Sequence, residues 1–279
     1  MIEQVVNNLI EKSGDRIRVE EGDYLNEDGL LVCGKCHTLK QTEVTFMGKT
    51  RRPYCRCKCE SEKRDREEAE RKNREMEHRI AERRRIGFPD AEMRAWNFAN
   101  DDMANEKITK AMQSYVAHFA DFRRQGKGLL LYGNCGTGKT YAACEVANAL
   151  IDRDYSVLVT NFARVLNTLQ GTFEKQKYID SLNKYQLLVI DDLGIERDTQ
   201  FAKEQVFNII DSRYRVGLPM IITTNLSMEK IKNPDDIENA RIYDRILERC
   251  FPIEVTGGSR RRKAVIESYN EMQELLGLK

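Results

Sequence analysis

Eight consecutive residues, Gly133-Asn134-Cys135-Gly136-Thr137-Gly138-Lys139-Thr140, have the spacing G-x-x-x-x-G-K-[ST], that of a phosphate-binding loop. Glycines let the backbone curl until its N–H groups face phosphate oxygens, at a helix start that favours anions. Lys139 then reaches the β- and γ-phosphates, and the Thr140 hydroxyl coordinates Mg²⁺. Further along, Leu187-Leu188-Val189-Ile190 runs into Asp191 and Asp192. As a strand this delivers the Asp191 carboxylate to the metal and leaves Asp192 to polarise an attacking water. A third apolar run, Ile221-Ile222-Thr223-Thr224-Asn225, ends in an amide suited to holding that water or the γ-phosphate. Asp and Asn after a strand are also ordinary turn residues. Their place after a complete phosphate loop argues for chemistry, with ATP and Mg²⁺ as ligands.

The cysteines carry a second chemistry. Five of the eight lie between residues 31 and 59, as Cys33-Gly34-Lys35-Cys36 and Cys55-Arg56-Cys57-Lys58-Cys59. Two groups bracketing an expected β-hairpin at residues 38–52 make a tetrahedral Cys₄ zinc site. The expected ligands are Cys33, Cys36, Cys57 and Cys59, with Cys55 the spare or the alternative to one of the last two. His37 offers a further nitrogen, but it directly follows Cys36 and has poor reach. Four protein ligands leave no open position, so the site is structural. No βαβ pattern surrounds it, which argues against a redox C-x-x-C. Cys135, Cys144 and Cys250 are scattered, and Cys135 reads as incidental in the loop.

Elements must position these residues. The loop lies between the apolar run Leu129–Tyr132 and a helical stretch, Tyr141–Ile151. Val157–Thr160, Leu187–Ile190 and Met220–Thr223 are further buried strands, separated by segments of helical length. That alternation predicts an α/β fold, a parallel sheet with helices on both faces. A helix is expected over residues 104–122. Between Glu60 and Arg85 there is neither Gly nor Pro, and charges of both signs alternate. The pairs Glu60–Arg64, Glu62–Arg66, Glu67–Arg71, Glu70–Arg74 and Glu75–Arg79 support a solvated helix. Only Ala69, Met76, Ile80 and Ala81 are available as apolar seam residues, which excludes a coiled coil. The expected organisation is a zinc module at 1–59, a charged linker helix at 60–88 and an ATPase domain at 89–279. Ile2, Val5, Val6, Leu9 and Ile10 repeat at helical spacing near the start.

Composition bounds the rest. The chain has 279 residues, 41% of them hydrophobic, enough for a core and against global disorder. Lys plus Arg is 46 and Asp plus Glu 45, a formal charge of +1, which excludes DNA binding by bulk basicity. The balance hides segregation: residues 1–30 hold eight acids against Lys12, Arg16 and Arg18, whereas the segment with the cysteine cluster is basic. No apolar run is long enough to cross a membrane, and acids without a basic flank near Met1 argue against a secretory signal. A cytoplasmic protein is expected.

Together the motifs resemble those of AAA+ ATPases, and specifically of bacterial or phage replicative-helicase loaders of the DnaC and DnaI type. The IstB transposition ATPases share the same core. The resemblance covers about residues 90–265 and rests on GNCGTGKT, on LLVIDDLG followed by Glu196, on the TTN tip and on the arginine-rich end. It implies a five-stranded parallel sheet in the order 5-1-4-3-2, with Asn225 as sensor 1. Arg241-Ile-Tyr-Asp-Arg245-Ile-Leu-Glu-Arg249 resembles the box VII helix, making Arg245 the arginine finger toward a neighbouring subunit. The blander reading of Arg245 is a surface residue paired with Glu248 or Glu238. Gly257-Gly258-Ser259-Arg260-Arg261-Arg262 makes Arg261 the sensor 2 candidate, with Arg260 and Arg262 open by register; Ser259 also reads as a helix N-cap. Met93 to Phe98 resembles the segment that folds against adenine, although Trp96 and Phe98 read equally as core anchors. In such loaders the segment after the second strand contacts single-stranded DNA. Here that is Phe162 to Tyr178, with Arg164, Phe173, Lys175, Lys177 and Tyr178, which also suit an ordinary amphipathic helix. The N-terminal zinc module resembles the helicase-touching domain of DnaI-type loaders. The expected function is ATP-dependent loading of a hexameric replicative helicase onto single-stranded DNA during replication initiation, with self-association through the AAA+ domain. The alternatives are an IstB-like ATPase remodelling a transposase–DNA complex and an ATP-gated adaptor with little turnover.

Overall fold

Short antiparallel pairs and tight turns build the first of two units, which runs to Glu77. The structure, a computed structural model, describes residues 19–194, 199–258, 269 and 272–278. Strands β1 (Tyr24–Leu25) and β2 (Leu31–Val32) pair antiparallel. Their turn is held by the Asn26 side chain, which accepts from the Leu30 N–H at 2.8 Å. The expected hairpin forms as β3 (Val44–Phe46) and β4 (Lys49–Arg51). Met47 (φ 50°) and Gly48 (φ 72°) make its turn, the all-positive pair that suits the twist of a two-residue hairpin. Helix α1 spans Lys58–Gly87 and is exposed along nearly its whole length. Of the five ion pairs expected on it, Glu70–Arg74 is present. Others run in a shifted register, among them Lys63–Glu67, Glu68–Lys72 and Arg71–Glu75.

The second unit begins at His78, inside the helix that the sequence assigns to a linker. Arg79 pairs with Asp154 at 3.2 Å, Arg83 pairs with the same carboxylate, and Arg84 pairs with Asp152. Gly87 is required where the helix ends: a Cβ there would lie 2.6 Å from the Val157 carbonyl oxygen. The helix expected over 104–122 is two, α2 (Glu106–Ala117) and α3 (Phe119–Gln125). The break at His118 lets Phe119 and Phe122 both pack on Tyr115, at ring separations of 5.9 and 4.9 Å.

Strand β5 (Gly128–Tyr132) leads to helix α4 (Lys139–Asp152). Then follow β6 (Val157–Asn161), α5 (Phe162–Gln170), α6 (Lys175–Leu182), β7 (Leu187–Leu193), α7 (Gln200–Val216) and β8 (Met220–Thr224). The short α8 (Met228–Lys232), then α9 (Ile237–Arg249) and β9 (Cys250–Glu254) complete the described elements. The five strands are parallel, in the order β6-β7-β8-β5-β9. Numbered within this sheet and read from the β9 edge, that is 5-1-4-3-2. The fifth strand, Cys-Phe-Pro-Ile-Glu, is interrupted by a proline and ends in a glutamate, and the residue pattern does not single it out.

Strand alternation sends neighbouring side chains to opposite faces. Leu129, Leu131, Val159, Val189 and Ile221 join one buried cluster with α2 and α4. Leu130, Leu188, Ile190 and Ile222 join another with α5, α7 and α9. Both faces are therefore covered, as near-continuous apolar strands require. Among the described residues no helix is long and apolar enough to cross a membrane.

Candidate functional site

The loop between β5 and α4 turns on three glycines at positive φ: Gly133 (143°), Gly136 (83°) and Gly138 (97°). Gly133 is also forced by space, because a Cβ would sit 2.5 Å from the Val255 carbonyl oxygen. No side chain caps the first amides of α4, which leaves that helix start open to an anion. Lys139, 5% exposed, donates to the carbonyl oxygens of Gly133 (2.9 Å) and Asn134 (2.7 Å) and to Asn225 Oδ1 (2.8 Å). The tip of β8 is thereby tied to the loop.

Two hydroxyls converge on Asp191. Thr140 Oγ1 donates to its Oδ1 at 2.9 Å and Thr223 Oγ1 at 2.5 Å. Thr223 Oγ1 also accepts from the Asp192 N–H at 3.0 Å. Burial raises the Asp191 carboxyl above its ordinary value and the Asp192 charge adds to this, while the hydrogen bonds from Thr223 and Thr140 pull the other way. A cation at this position would relieve the carboxylate charge that burial disfavours. Asp192 lies at positive φ (61°), and the β7–β8 register shifts between Ile190 and Leu193. This bulge breaks the alternation at the two carboxylates. A cavity of about 340 Å³ adjoins the loop, lined by Gly133, Asn134, Thr137, Asn225, Thr256 and Gly257 among others. Its size is within the range of small-molecule sites. Cys135 is exposed in the loop.

Thus Lys139, Thr140, Asp191 and Asn225 form one hydrogen-bonded set, with Asp192 joined through Thr223. Sequence reasoning gave Thr223 no role; its signal, shared with Thr224, is a hydroxyl at the end of an apolar strand. It also missed Asn148, which is 1% exposed and donates to the carbonyls of Met93, Trp96 and Cys144. That amide fastens the segment before the loop onto α4. Met93, Trp96 and Phe98 pack against the adjoining core, and the Trp96 ring lies 5.7 Å from that of Tyr141.

Arg245 sits apart from this set. Its Nε donates to Asp211 Oδ1 at 2.7 Å, and its guanidinium lies 4.6 Å from the Phe207 ring centre. Asp211 also takes Arg215 at 2.6 Å. The home partner is therefore on α7, rather than Glu248, which accepts from Tyr214, or Glu238, which accepts from Gln200. Arg260, Arg261, Arg262, Ser259 and Glu196 lie outside the described residues, as does the helical pattern of residues 2–10. In the segment Phe162 to Tyr178, Arg164 pairs with Asp90, Lys177 with Glu174, and Lys175 lies over the Phe201 ring. Tyr178 packs against the core, and Phe173 is fully exposed.

In the first unit the sulfurs of Cys33, Cys36, Cys57 and Cys59 all lie within 4.8 Å of one another. Cys59 is 3.6 Å from Cys33 and 3.3 Å from Cys57. Tetrahedral zinc with Zn–S near 2.3 Å sets sulfurs about 3.8 Å apart, so the set fits such an ion. The Cys57, Cys33 and Cys36 sulfurs push the Cys59 thiol up to about 12, whereas the Thr38 hydroxyl holds Cys36 at about 5. Thiols this crowded ionise together only around a cation. Cys55 points elsewhere, its Sγ 3.6 Å from the Leu39 carbonyl oxygen. The first knuckle depends on Gly34, where a Cβ would meet the Gly22 carbonyl oxygen at 2.1 Å.

The family described as IstB-like ATP binding protein matches residues 62–268. Replicative helicase loader DnaI of Bacillus subtilis is 28% identical over 163 residues, 52% of this chain and 52% of that protein. Replicative helicase loader DnaC of Escherichia coli is 25% identical over 155 residues, 54% of this chain and 62% of that protein. The matched region thus spans about half to three fifths of the length of these two relatives. A Sinorhizobium fredii protein whose name reads insertion sequence ATP-binding protein is 28% identical over 205 residues, 69% of this chain and 68% of that protein. A crystal structure of DnaI superposes with a TM-score of 0.52 at 27% identity, covering 62% of this chain and 94% of that one.

Proposed function

This chain belongs to the IstB-like ATP binding protein family, and from that premise we propose that it loads a hexameric replicative helicase onto single-stranded DNA, using ATP. The observation that carries the use of ATP is the hydrogen-bonded set Lys139, Thr140, Asp191 and Asn225. In it, Lys139 holds the β- and γ-phosphates and Asn225 orients the water or the γ-phosphate beside it. Asp192 takes a proton from that water. Thr140 and Asp191 would hold Mg²⁺, which would supply charge neutralisation for the phosphates. Trp96 and its neighbours would lie beside the adenine, and Arg261 is the sensor 2 residue that the family resemblance implies. The cysteine module, holding zinc, is the helicase-docking part, and the segment Phe162 to Tyr178 contacts DNA. The likeness to DnaI supports the loader. One observation favours a second reading, an ATPase acting on a transposase–DNA complex: the match to the insertion-sequence protein covers more of this chain, 69%.

A pull-down of the full chain against a purified replicative helicase, with and without ATP, separates the two. Retention of the helicase is expected. No retention in either condition, together with capture of a transposase–DNA complex, would sink the loader.

Arg245 is the proposed finger toward a neighbouring subunit. Arg245→Ala should leave ATP affinity unchanged while oligomer-dependent hydrolysis falls about 10³-fold or more, the usual contribution of such a group. Titrating turnover against protein concentration reads this out. Wild-type turnover in the variant would move the finger to Arg241 or Arg249.

A further inference from the structure

Among the described residues, the β3–β4 hairpin presents a face with no partner of its own. Val44 stands opposite Arg51, and Phe46 opposite Lys49. Directly opposed residues share a face, and so do alternate residues along a strand. Val44, Phe46, Lys49 and Arg51 are therefore grouped together, while Thr45 and Thr50 occupy the reverse face with their hydroxyls 3.1 Å apart. Every residue of both strands is exposed. Phe46 is 73% exposed, and Met47 at the turn is 88% exposed.

Among the described residues, nothing compensates the charges on this face. Neither Lys49 nor Arg51 forms an ion pair with a described residue. Three neighbouring cations of the unit are engaged: Lys40 with Asp23 at 2.5 Å, Lys35 with Glu20, and Arg52 with Glu43 and the Gly29 carbonyl. No acid stands among the four side chains of the face. The turn fixes Met47 and Gly48 at positive φ, so the face is preformed.

We propose that this face is a contact site for single-stranded nucleic acid. Each apolar side chain has a cation directly across from it. A base stacked on Phe46 therefore brings its flanking phosphates within reach of Lys49 and Arg51, the pairing of stacking platform and backbone charge that unpaired strands require. A protein partner fits less well. Stable protein interfaces bury about 1,200 Å² or more and are depleted in lysine at their centre, and two three-residue strands supply a small, lysine-bearing surface. The site lies in a different unit from residues 162–178, so it stands whether or not that segment touches DNA.

The test is fluorescence anisotropy of a labelled oligothymidylate with the full, zinc-loaded chain, over a salt series. Phe46→Ala should weaken binding about tenfold, the loss of one stacked base. Lys49→Ala with Arg51→Ala should lower the slope of log affinity against log salt by about 1.4, for two phosphate contacts on a single strand. Lys49→Arg with Arg51→Lys should restore the slope. Zinc content and ATP turnover should not change in any of them. Photocrosslinking followed by peptide mapping should place the oligonucleotide on residues 44–51. Unchanged affinity and slope in both loss variants overturns the proposal, as do crosslinks confined to residues 162–178. Loss of a protein partner with oligothymidylate binding intact overturns it too. Phe173→Ala in parallel reports on the other segment, so the two failures are distinguishable.

Discussion

Lys139→Ala should leave a folded chain that no longer binds ATP at working concentrations. The ammonium is the one side-chain cation of the hydrogen-bonded set, and it already gathers two loop carbonyls and Asn225 Oδ1 within 2.9 Å. Two charge-assisted hydrogen bonds to phosphate, at about 1.5–3 kcal/mol each, predict an affinity weakened about 10²- to 10⁴-fold. The substitution has a second effect. It removes the donor from three acceptors, which costs about 1–3 kcal/mol where they stay dry. Titration with a fluorescent ATP analogue must therefore be paired with a thermal melt. A lowered melting temperature with undiminished nucleotide affinity would show that Lys139 only braces the loop. Undiminished turnover would remove the phosphate-site assignment altogether.

The parts of this site that were legible in the sequence are those set by short-range pattern. The phosphate loop is contiguous, and the runs before Asp191 and Asn225 are apolar because both faces of the sheet are buried. What was not legible depends on partners distant in the chain. Asn148 is an ordinary helical residue until the carbonyls of Met93 and Trp96 come to it. The seat of Arg245 is made by Phe207 and Asp211 of another helix. Strand β9 contains a proline and a glutamate yet pairs with β5 along all five residues, because an edge position asks less of a strand than a central one. The ion-pair register on α1 shifted because each exposed pair contributes well under 1 kcal/mol. Tertiary partners decide where they exist, as when Arg79 pairs with Asp154.

Removing the metal should unfold the first unit and spare the second. Among the described residues of the first unit the buried apolar side chains are few: Leu30, Leu31, Val32, Cys33 and Cys57. Each of its sheets has two strands, and isolated two-strand pairs are marginal in water. A structural zinc contributes about 10–16 kcal/mol of apparent binding energy, as much as the whole stability of an ordinary domain. The core of the second unit, by contrast, is continuous on both faces of a five-stranded sheet. Metal analysis of the full chain should give about one zinc per molecule. After chelation, amide exchange should lose its protection across residues 24–57 and keep it across 128–254. The cysteines discriminate further. Cys57→Ser removes one of the four gathered sulfurs and should release the zinc. Cys55→Ser changes a thiol that points to the Leu39 carbonyl and should retain it. A chain that keeps its zinc through Cys57→Ser, or a metal-free chain with the first unit still protected, would refute the four-sulfur site. Loss of zinc in both variants would mean that Cys55 holds the fold of the site rather than standing outside it.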